Sequence, residues 1–364
     1  MTTEALVSDI VELAGIPTPT FAEEARLEWL AARLAGAPGK TRRDDVGNLV
    51  WSWGARRPRL AVLAHVDTVF PADAPLRFVD ADGRLSGPGI GDNATAVVVA
   101  LSAVNDVLTA GTAAPGALVF TVGEEGLGNL RGARHACDSL APALVVAVEG
   151  HGLEKVIVDA VGSVRARVRV QGPGGHSWVD RGAPSAIQTA AALATRLGGL
   201  GTPETPVNVG TIAGGQSVNT IAASAELVVE MRSLEDRPLD DFRSALTTVG
   251  EAEPCHVTVE ELGRRPAGRL DRSSHLLRAV RSVRAALGLP DELGGGLHGR
   301  ERRARTRDPG ADARLRPGRG DAYDRRVDCA RDPSRSGSGR RGTSSPHSSL
   351  LDVRPPARVG SFRI

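Results

Sequence analysis

The segment Ala117-Leu118-Val119-Phe120-Thr121-Val122 is apolar at every position but Thr121, and it runs into two adjacent acids, Glu124 and Glu125. A short apolar run without alternation marks a strand buried on both faces, and such strands belong to parallel sheets with helices on either side. Leu60 to Ala64 is a second run of this kind, followed by His65-Val66-Asp67; Ala143 to Val148 is a third, ending at Glu149. Between the first two lies the turn Gly87-Pro88-Gly89-Ile90-Gly91, then Asp92-Asn93 and an Ala/Val-rich helical stretch to Thr109. Apolar strands alternating with helices predict an α/β domain built on a mostly parallel sheet. Open sheets of that kind place their active sites at the carboxyl ends of the strands, where this histidine and these acids fall.

The rest of the chain has a readable layout. Thr20 to Ala35 has helical periodicity, with Thr20 as N-cap and Gly36 as stop. Val46 to Trp53 reads as a strand and Leu127 to Cys137 as a helix. The pattern changes at Val161. Ser163 to Gln171 alternates apolar residues with arginines, as a half-exposed strand does. Val207 to Ile212, Ala225 to Arg232 and His256 to Glu260 are further strands, and Pro184 to Leu197 is a helix. These predict an inserted α+β module on a small antiparallel sheet over about residues 163–265. A helix from Ser273 to Leu287 then resumes the first pattern, stopping at Gly288 and Pro290.

A length of 364 residues favours two domains, and aromatics at 3% leave the core to Ala, Val and Leu. The start of the chain has neither a basic segment nor an apolar one of signal-peptide type, and no apolar run reaches the ~20 residues of a membrane helix. The three cysteines are far apart without a CxxC. A cytoplasmic protein without a membrane partner is expected.

Taken singly, each cluster of polar residues has a plain reading. His65 with Asp67 suits a core histidine beside a surface acid, Asp92 a helix N-cap, Glu124-Glu125 a solvated turn, and Glu149 a loop acid. Taken together, they match what a dinuclear hydrolytic site requires: a bridging carboxylate, terminal His or carboxylate ligands, and a separate base for water. Asp67, two residues from His65, can hold the second ring nitrogen. Nucleotide binding is disfavoured, because GPGIGDN lacks the GxGxxG spacing and no GxxxxGK[ST] occurs; no GxSxG supports a serine hydrolase.

In order, LAVLAHVDTV, GPGIGDNATA and VFTVGEEG resemble the metallopeptidase family of carboxypeptidase G, aminoacylase, acetylornithine deacetylase, succinyl-diaminopimelate desuccinylase and peptidase T. The resemblance covers residues 1 to about 296. It implies two Zn2+ ions, or Co2+ or Mn2+ in their place, bridged by Asp92. His65 and Glu149 would complete one site and Glu125 would begin the other. Glu124 would act as general base and Asp67 would orient His65. Asn93 stands where several members carry Asp, at a position that is not a ligand. The implied domains are a catalytic domain of residues 1–162 and 266–296, with a lid and dimerisation domain at 163–265. Gly172 to Ser177 corresponds to the lid histidine loop, so His176 is implied to polarise the scissile carbonyl from the partner subunit of a homodimer. Asn219 and Arg232 resemble the pair that binds a substrate carboxylate, although Arg232 also reads as a plain surface arginine. The implied reaction is cleavage of the amide bond of a short peptide or N-acyl amino acid by metal-activated water.

The last stretch departs from that family. Leu297 to Ile364 holds 17 arginines, no lysine and 8 acids, a net of +9, whereas the preceding 296 residues carry a net of −7. Basic tails often mark nucleic-acid binders. A different origin fits better here: a reading frame that changes near Gly296. Codons can be chosen for Leu297 to Arg314 that, one nucleotide later, spell STDANAALARGIPALTL. For Asp321 to Ala330 the same shift gives THTTDEWIA. Both are the family's closing motifs, the second carrying its last metal-ligating histidine. As written, the tail is expected to pack poorly and to leave the second metal site incomplete, with no nucleic-acid partner. The competing expectation is a catalytically impaired dimeric relic of the enzyme.

Overall fold

The computed structural model describes residues 2–295, apart from 56, 82, 151–154 and 252, together with residues 351–352. Apart from Leu351 and Asp352, the tail from Leu297 onward, and the expectations for it, lie outside the described residues. The chain separates into two compact units that meet in sequence at residues 152 and 153.

The first unit runs α1 (Thr3–Ala14), α2 (Glu24–Arg33), β1 (Lys40–Arg43), β2 (Leu49–Trp53), β3 (Leu60–His65), a hairpin of β4 (Val79–Ala81) and β5 (Arg84–Ser86), α3 (Thr95–Thr109), β6 (Gly116–Thr121), α4 (Arg131–Leu140) and β7 (Leu144–Ala147). Its five-stranded sheet has the order β1-β2-β6-β3-β7. β6, β3 and β7 are parallel, and β2 and β1 extend the sheet antiparallel. Alternate residues along each strand enter two cores. Leu49, Trp51, Ala64, Leu118 and Phe120 face Ile10, Leu13, Leu27, Leu30, Val97, Val98 and Leu101 of α1, α2 and α3. Val50, Ala61, Leu63, Ala117 and Val119 face Ala136 and Leu140 of α4. Burial on both sides is why these strands read as unbroken apolar runs.

Two helices start later than their sequence pattern suggests. Thr20 does not cap α2, because its hydroxyl donates to Asp67 and the helix begins at Glu24. Leu127 lies outside α4: Gly126, Asn129 and Leu130 all have positive φ, so the chain turns before the helix starts at Arg131. Asn48 fixes that turn. Its amide accepts the Val122 N–H at 3.0 Å and donates to the Gly132 carbonyl at 2.9 Å, joining the end of β6 to the first turn of α4.

The second unit contains β8 (Lys155–Ala160), β9 (Gly162–Gln171), β10 (Gly175–His176), α5 (Ala186–Gly198), β11 (Val207–Gly214), β12 (Thr220–Ile221), β13 (Ser224–Ser233), α6 (Asp236–Thr248), β14 (His256–Arg265), β15 (Gly268–Arg269), α7 (His275–Ala286) and β16 (Glu292–Gly295). β11-β13-β9-β14 is an antiparallel sheet. Val164, Ala166, Val168 and Val170 of β9 pack with Leu193 and Leu197 of α5 and Leu239, Phe242 and Leu246 of α6. The intervening arginines face outward to Glu226, Glu230 and Glu260. β8 lies between β15 and β16 in a separate three-stranded sheet. Among the described residues, no helix is long and apolar enough to cross a membrane.

Phe120 is fully buried at the centre of the first core. Phe120→Ala is expected to destabilise the first unit by about 3–5 kcal/mol, seen as a lower urea midpoint for the transition reporting on Trp51, which packs in the same core.

Candidate metal centre

Register brings the chemistry to one edge. His65 pairs with Thr121 across β3 and β6, and Leu63 with Ala147 across β3 and β7. The pairing continues past the strand ends: the Val66 N–H donates to the Thr121 carbonyl at 2.9 Å, and the Val148 N–H to the Leu63 carbonyl at 2.8 Å. His65, the Glu124-Glu125 pair and Glu149 therefore leave the sheet on the same side. Asp92 arrives from the glycine turn before α3, with a cis peptide between it and Asn93. It is not the helix cap, since Ala94 occupies that position.

His65 Nε2 lies 3.0 Å from Asp92 Oδ1 and 3.5 Å from Glu149 Oε2. One donor atom from each of the three residues falls within 4.8 Å of the others. Donors at bond lengths of about 2.0–2.1 Å around one tetrahedral ion stand roughly 3.3 Å apart, so this spacing fits a single divalent cation. On the other side of the ring, Nδ1 is 3.1 Å from the backbone carbonyl of Asp67. A carbonyl only accepts, so Nδ1 carries the proton and Nε2 is left to face two carboxylates. Positive charge is needed between them, from a proton or a metal. Burial opposes the imidazolium, but hydrogen bonds to Asp67, Asp92 and Glu149, with the charge of Glu149, hold the pKa of His65 well above its ordinary value. One imidazole with two carboxylates is an ordinary donor set for Zn2+ or Mn2+.

Asp67 is fully buried, and its carboxylate reaches His65 Nδ1 only at 3.5 Å. Nδ1 thus meets Asp67 twice, closer at the backbone carbonyl and farther at the carboxylate. The carboxylate accepts instead from the N–H groups of Glu124 at 3.0 Å and Glu125 at 2.9 Å, and from the Thr20 hydroxyl at 2.9 Å. Burial would raise its pKa, but His65 and these two amides hold it below the usual carboxylate value. Below the turn, the buried Arg26 guanidinium donates to the carbonyls of Ile16, Val66 and Ala14. Burial pulls its pKa down to about 10, against the charge of Asp67.

Asn93 has a role that its non-ligating position conceals. Its Nδ2 donates to the Val148 carbonyl and its Oδ1 accepts the Gly150 N–H, each at 3.0 Å. It brackets Glu149 from both sides, and a deprotonated Asp could accept but not donate. Glu125 lies outside the three-residue group, and no second group of three donors forms among the described residues.

The remaining candidate residues belong to the second unit. β10 pairs with β12, and the Ser177 N–H donates to the Asn219 carbonyl at 3.0 Å, so the loops of His176 and Asn219 are neighbours. His176 Nδ1 accepts N–H groups of Trp178 and Val179 at 3.2 and 3.3 Å, which places the ring proton of the neutral form on Nε2. Asn219 Oδ1 accepts the Ser217 hydroxyl at 2.6 Å. Arg232 is bound to Glu230 at 2.9 Å, and Glu230 also holds Arg165.

The model of Peptidase family M20/M25/M40 matches residues 61–299. The chain belongs to this family. It is 31% identical over 278 residues to an acetylornithine deacetylase of Myxococcus xanthus, an alignment covering 68% of this chain and 72% of that protein. A "probable carboxypeptidase" of Aspergillus flavus is 28% identical over 224 residues, covering 54% of this chain and 52% of its own length. The chain thus spans about half of that second relative. Among solved structures, a tripeptidase from Staphylococcus aureus (21% identity, TM-score 0.66) and the aminopeptidase PepT from Bacillus cereus (20%, 0.66) share the fold, each over 82% of this chain and 86% of the other. Family M20/M25/M40 members are hydrolases and typically metal-dependent, in agreement with the cluster at the strand ends.

A Co2+ titration of the full chain tests the centre. His65→Ala should abolish the tight site. Asn93→Ala, which removes only the bracket around Glu149, should weaken it about 10–100-fold with the circular dichroism unchanged.

Proposed function

We propose that this M20-type chain is built to hydrolyse the amide bond of a short peptide or N-acyl amino acid bearing a free carboxylate. The observation carrying the reading is the juxtaposition, at one sheet edge, of the His65-Asp92-Glu149 cluster with the Glu124-Glu125 loop tied to Asp67. His65, Asp92 and Glu149 would hold one divalent cation, with Asp92 shared and Glu125 beginning a second site. A cation there supplies Lewis acidity and lowers the pKa of water toward neutrality. Glu124 takes the proton of the attacking water and returns it to the leaving amine. His176 of the paired copy, with its proton on Nε2, would donate to the developing oxyanion. Asn219 and Arg232 receive the substrate carboxylate, for which the planar guanidinium is suited; Arg232 must then exchange its bond to Glu230. The names of the relatives, a deacetylase and peptidases, favour this substrate class.

In this reading residues 1–162 and 266–296 form the catalytic domain, and 163–265 form a lid through which two copies pair. The enzyme works in the cytoplasm with two Zn2+ ions. Glu124→Gln should lower turnover of acetylated amino acids or dipeptides by about 10²–10⁴-fold while leaving metal content unchanged. Full activity in that variant would refute the assignment.

One observation favours a second reading for the chain as written. The family match ends at residue 299, just beyond the point where the composition becomes arginine-rich. We propose that the frame shifts near Gly296 and that this chain is an impaired form of the enzyme. Sequencing the gene through these codons tests the shift, and a single intact frame would exclude it. A frame-restored chain should gain turnover and a second bound metal relative to the chain as written.

A further inference from the structure

The loop that carries the two proposed catalytic acids is gripped by a residue far from it in sequence. Glu23 is buried, and its Oε1 accepts the Gly123 N–H at 2.9 Å and the Phe21 N–H at 3.0 Å. Asp67 takes the next two amides, those of Glu124 and Glu125. Three consecutive N–H groups, 123 to 125, are therefore held by two buried carboxylates from different parts of the chain. Gly123 is bound at its other end too, because its carbonyl accepts the Arg131 N–H at 3.0 Å. It sits at φ +62°, so both of its peptide groups are fixed across a left-handed turn that glycine adopts without cost. The Arg131 guanidinium also lies 5.5 Å from the centre of the Phe21 ring, joining the Phe21–Glu23 loop to the first turn of α4.

A buried carboxylate is costly to desolvate and is normally matched by a cation. Among the described residues Glu23 is in no ion pair, and its partners are amides. Held this way, a carboxylate acts as a fixed anchor for a backbone turn. An apolar residue of similar size would leave the Gly123 and Phe21 donors without their partner. Glu23 lies outside residues 61–299, the span matched by the family model.

We propose that Glu23 is a positioning residue for the Glu124-Glu125 loop, acting with Asp67 as a clamp that sets where the two acid side chains project. The proposal rests on the reading of Glu124 as base and Glu125 as ligand for its catalytic meaning, but not for its structural test.

The experiment uses the full chain with Glu23→Ala and Glu23→Gln, the second keeping an acceptor oxygen. Hydrogen–deuterium exchange is followed in the metal-free protein for amides 123–125 and, as reference, for β3. Glu23→Ala should speed exchange at 123–125 about tenfold or more while β3 is unchanged, and Glu23→Gln should restore most of the protection. In a Co2+ titration of the frame-restored chain, Glu23→Ala should weaken the Co2+ absorption signal that depends on Glu125 about 10–100-fold, sparing the one that depends on His65. Wild-type exchange at 123–125 in Glu23→Ala would overturn the proposal. So would faster exchange spread equally over 123–125 and β3, which marks a general loss of stability. Glu125→Ala is titrated alongside. If it leaves the Co2+ signal of the frame-restored chain unchanged, the reading of Glu125 as a ligand fails, while the exchange data still judge the clamp.

Discussion

The buried carboxylate of Asp67 is the constraint around which the first unit is arranged. An ionised group at zero exposure persists only where enough hydrogens meet it. Here they come from the Thr20 hydroxyl, two backbone amides at the end of β6, and the neighbourhood of the His65 ring. The hydroxyl and the pair of amides belong to different segments, so satisfying Asp67 fixes the loop before α2, the end of β3 and the turn after β6 at once. Arg26 completes the arrangement from beneath, taking the Val66 carbonyl that lies between His65 and Asp67. The histidine is then aimed by the backbone: its Nδ1 proton goes to the Asp67 carbonyl, and Nε2 is presented to Asp92 and Glu149.

Much of the fold is legible in the sequence because burial on two faces leaves a strong local signature. The runs ending at His65, Val122 and Val148 became the three parallel strands, and the alternating Ser163–Gln171 became a strand with one buried face. Errors arose where side chains chose a tertiary partner over a local one. Thr20 has the chemistry of an N-cap, yet Asp67 takes its hydroxyl. Leu127 fits a helical spacing, but the residues around it are needed for the turn that seats Glu124 and Glu125.

The site divides in the same way. His65 and Glu149 stand out because acids and imidazoles at the ends of apolar strands have few packing roles, and Asp92 because it follows a glycine turn between two such strands. Glu23, Arg26 and Asn93 do not. Their partners are backbone amides and carbonyls, which every residue has, so no residue pattern announces the contact. Asn93 shows the limit well. The sequence marks it as a substitution at a position that binds no metal, whereas its amide donates on one side of Glu149 and accepts on the other. An order of chemical types along the chain picks out candidate ligands; it does not pick out what holds them still.

The same reasoning bears on the boundary near Gly296. A parallel strand is normally covered on both faces. Among the described residues β7 pairs only with β3, and Val145 stands 38% exposed in an apolar strand. In the second unit α7 buries only Leu277, while its Val283 and the following Leu287 are apolar and more than half exposed. Apolar positions of this kind on two separate elements are ones that a covering segment would bury. The 68 residues after Gly296 have little to offer for that purpose, being dominated by arginine, glycine, serine and proline. The shifted text, with its GIPALTL run, has the apolar density that a covering strand requires. The exposed apolar positions of β7 and α7, and the closing motifs that a one-nucleotide shift permits, are both what the proposed frame change would produce.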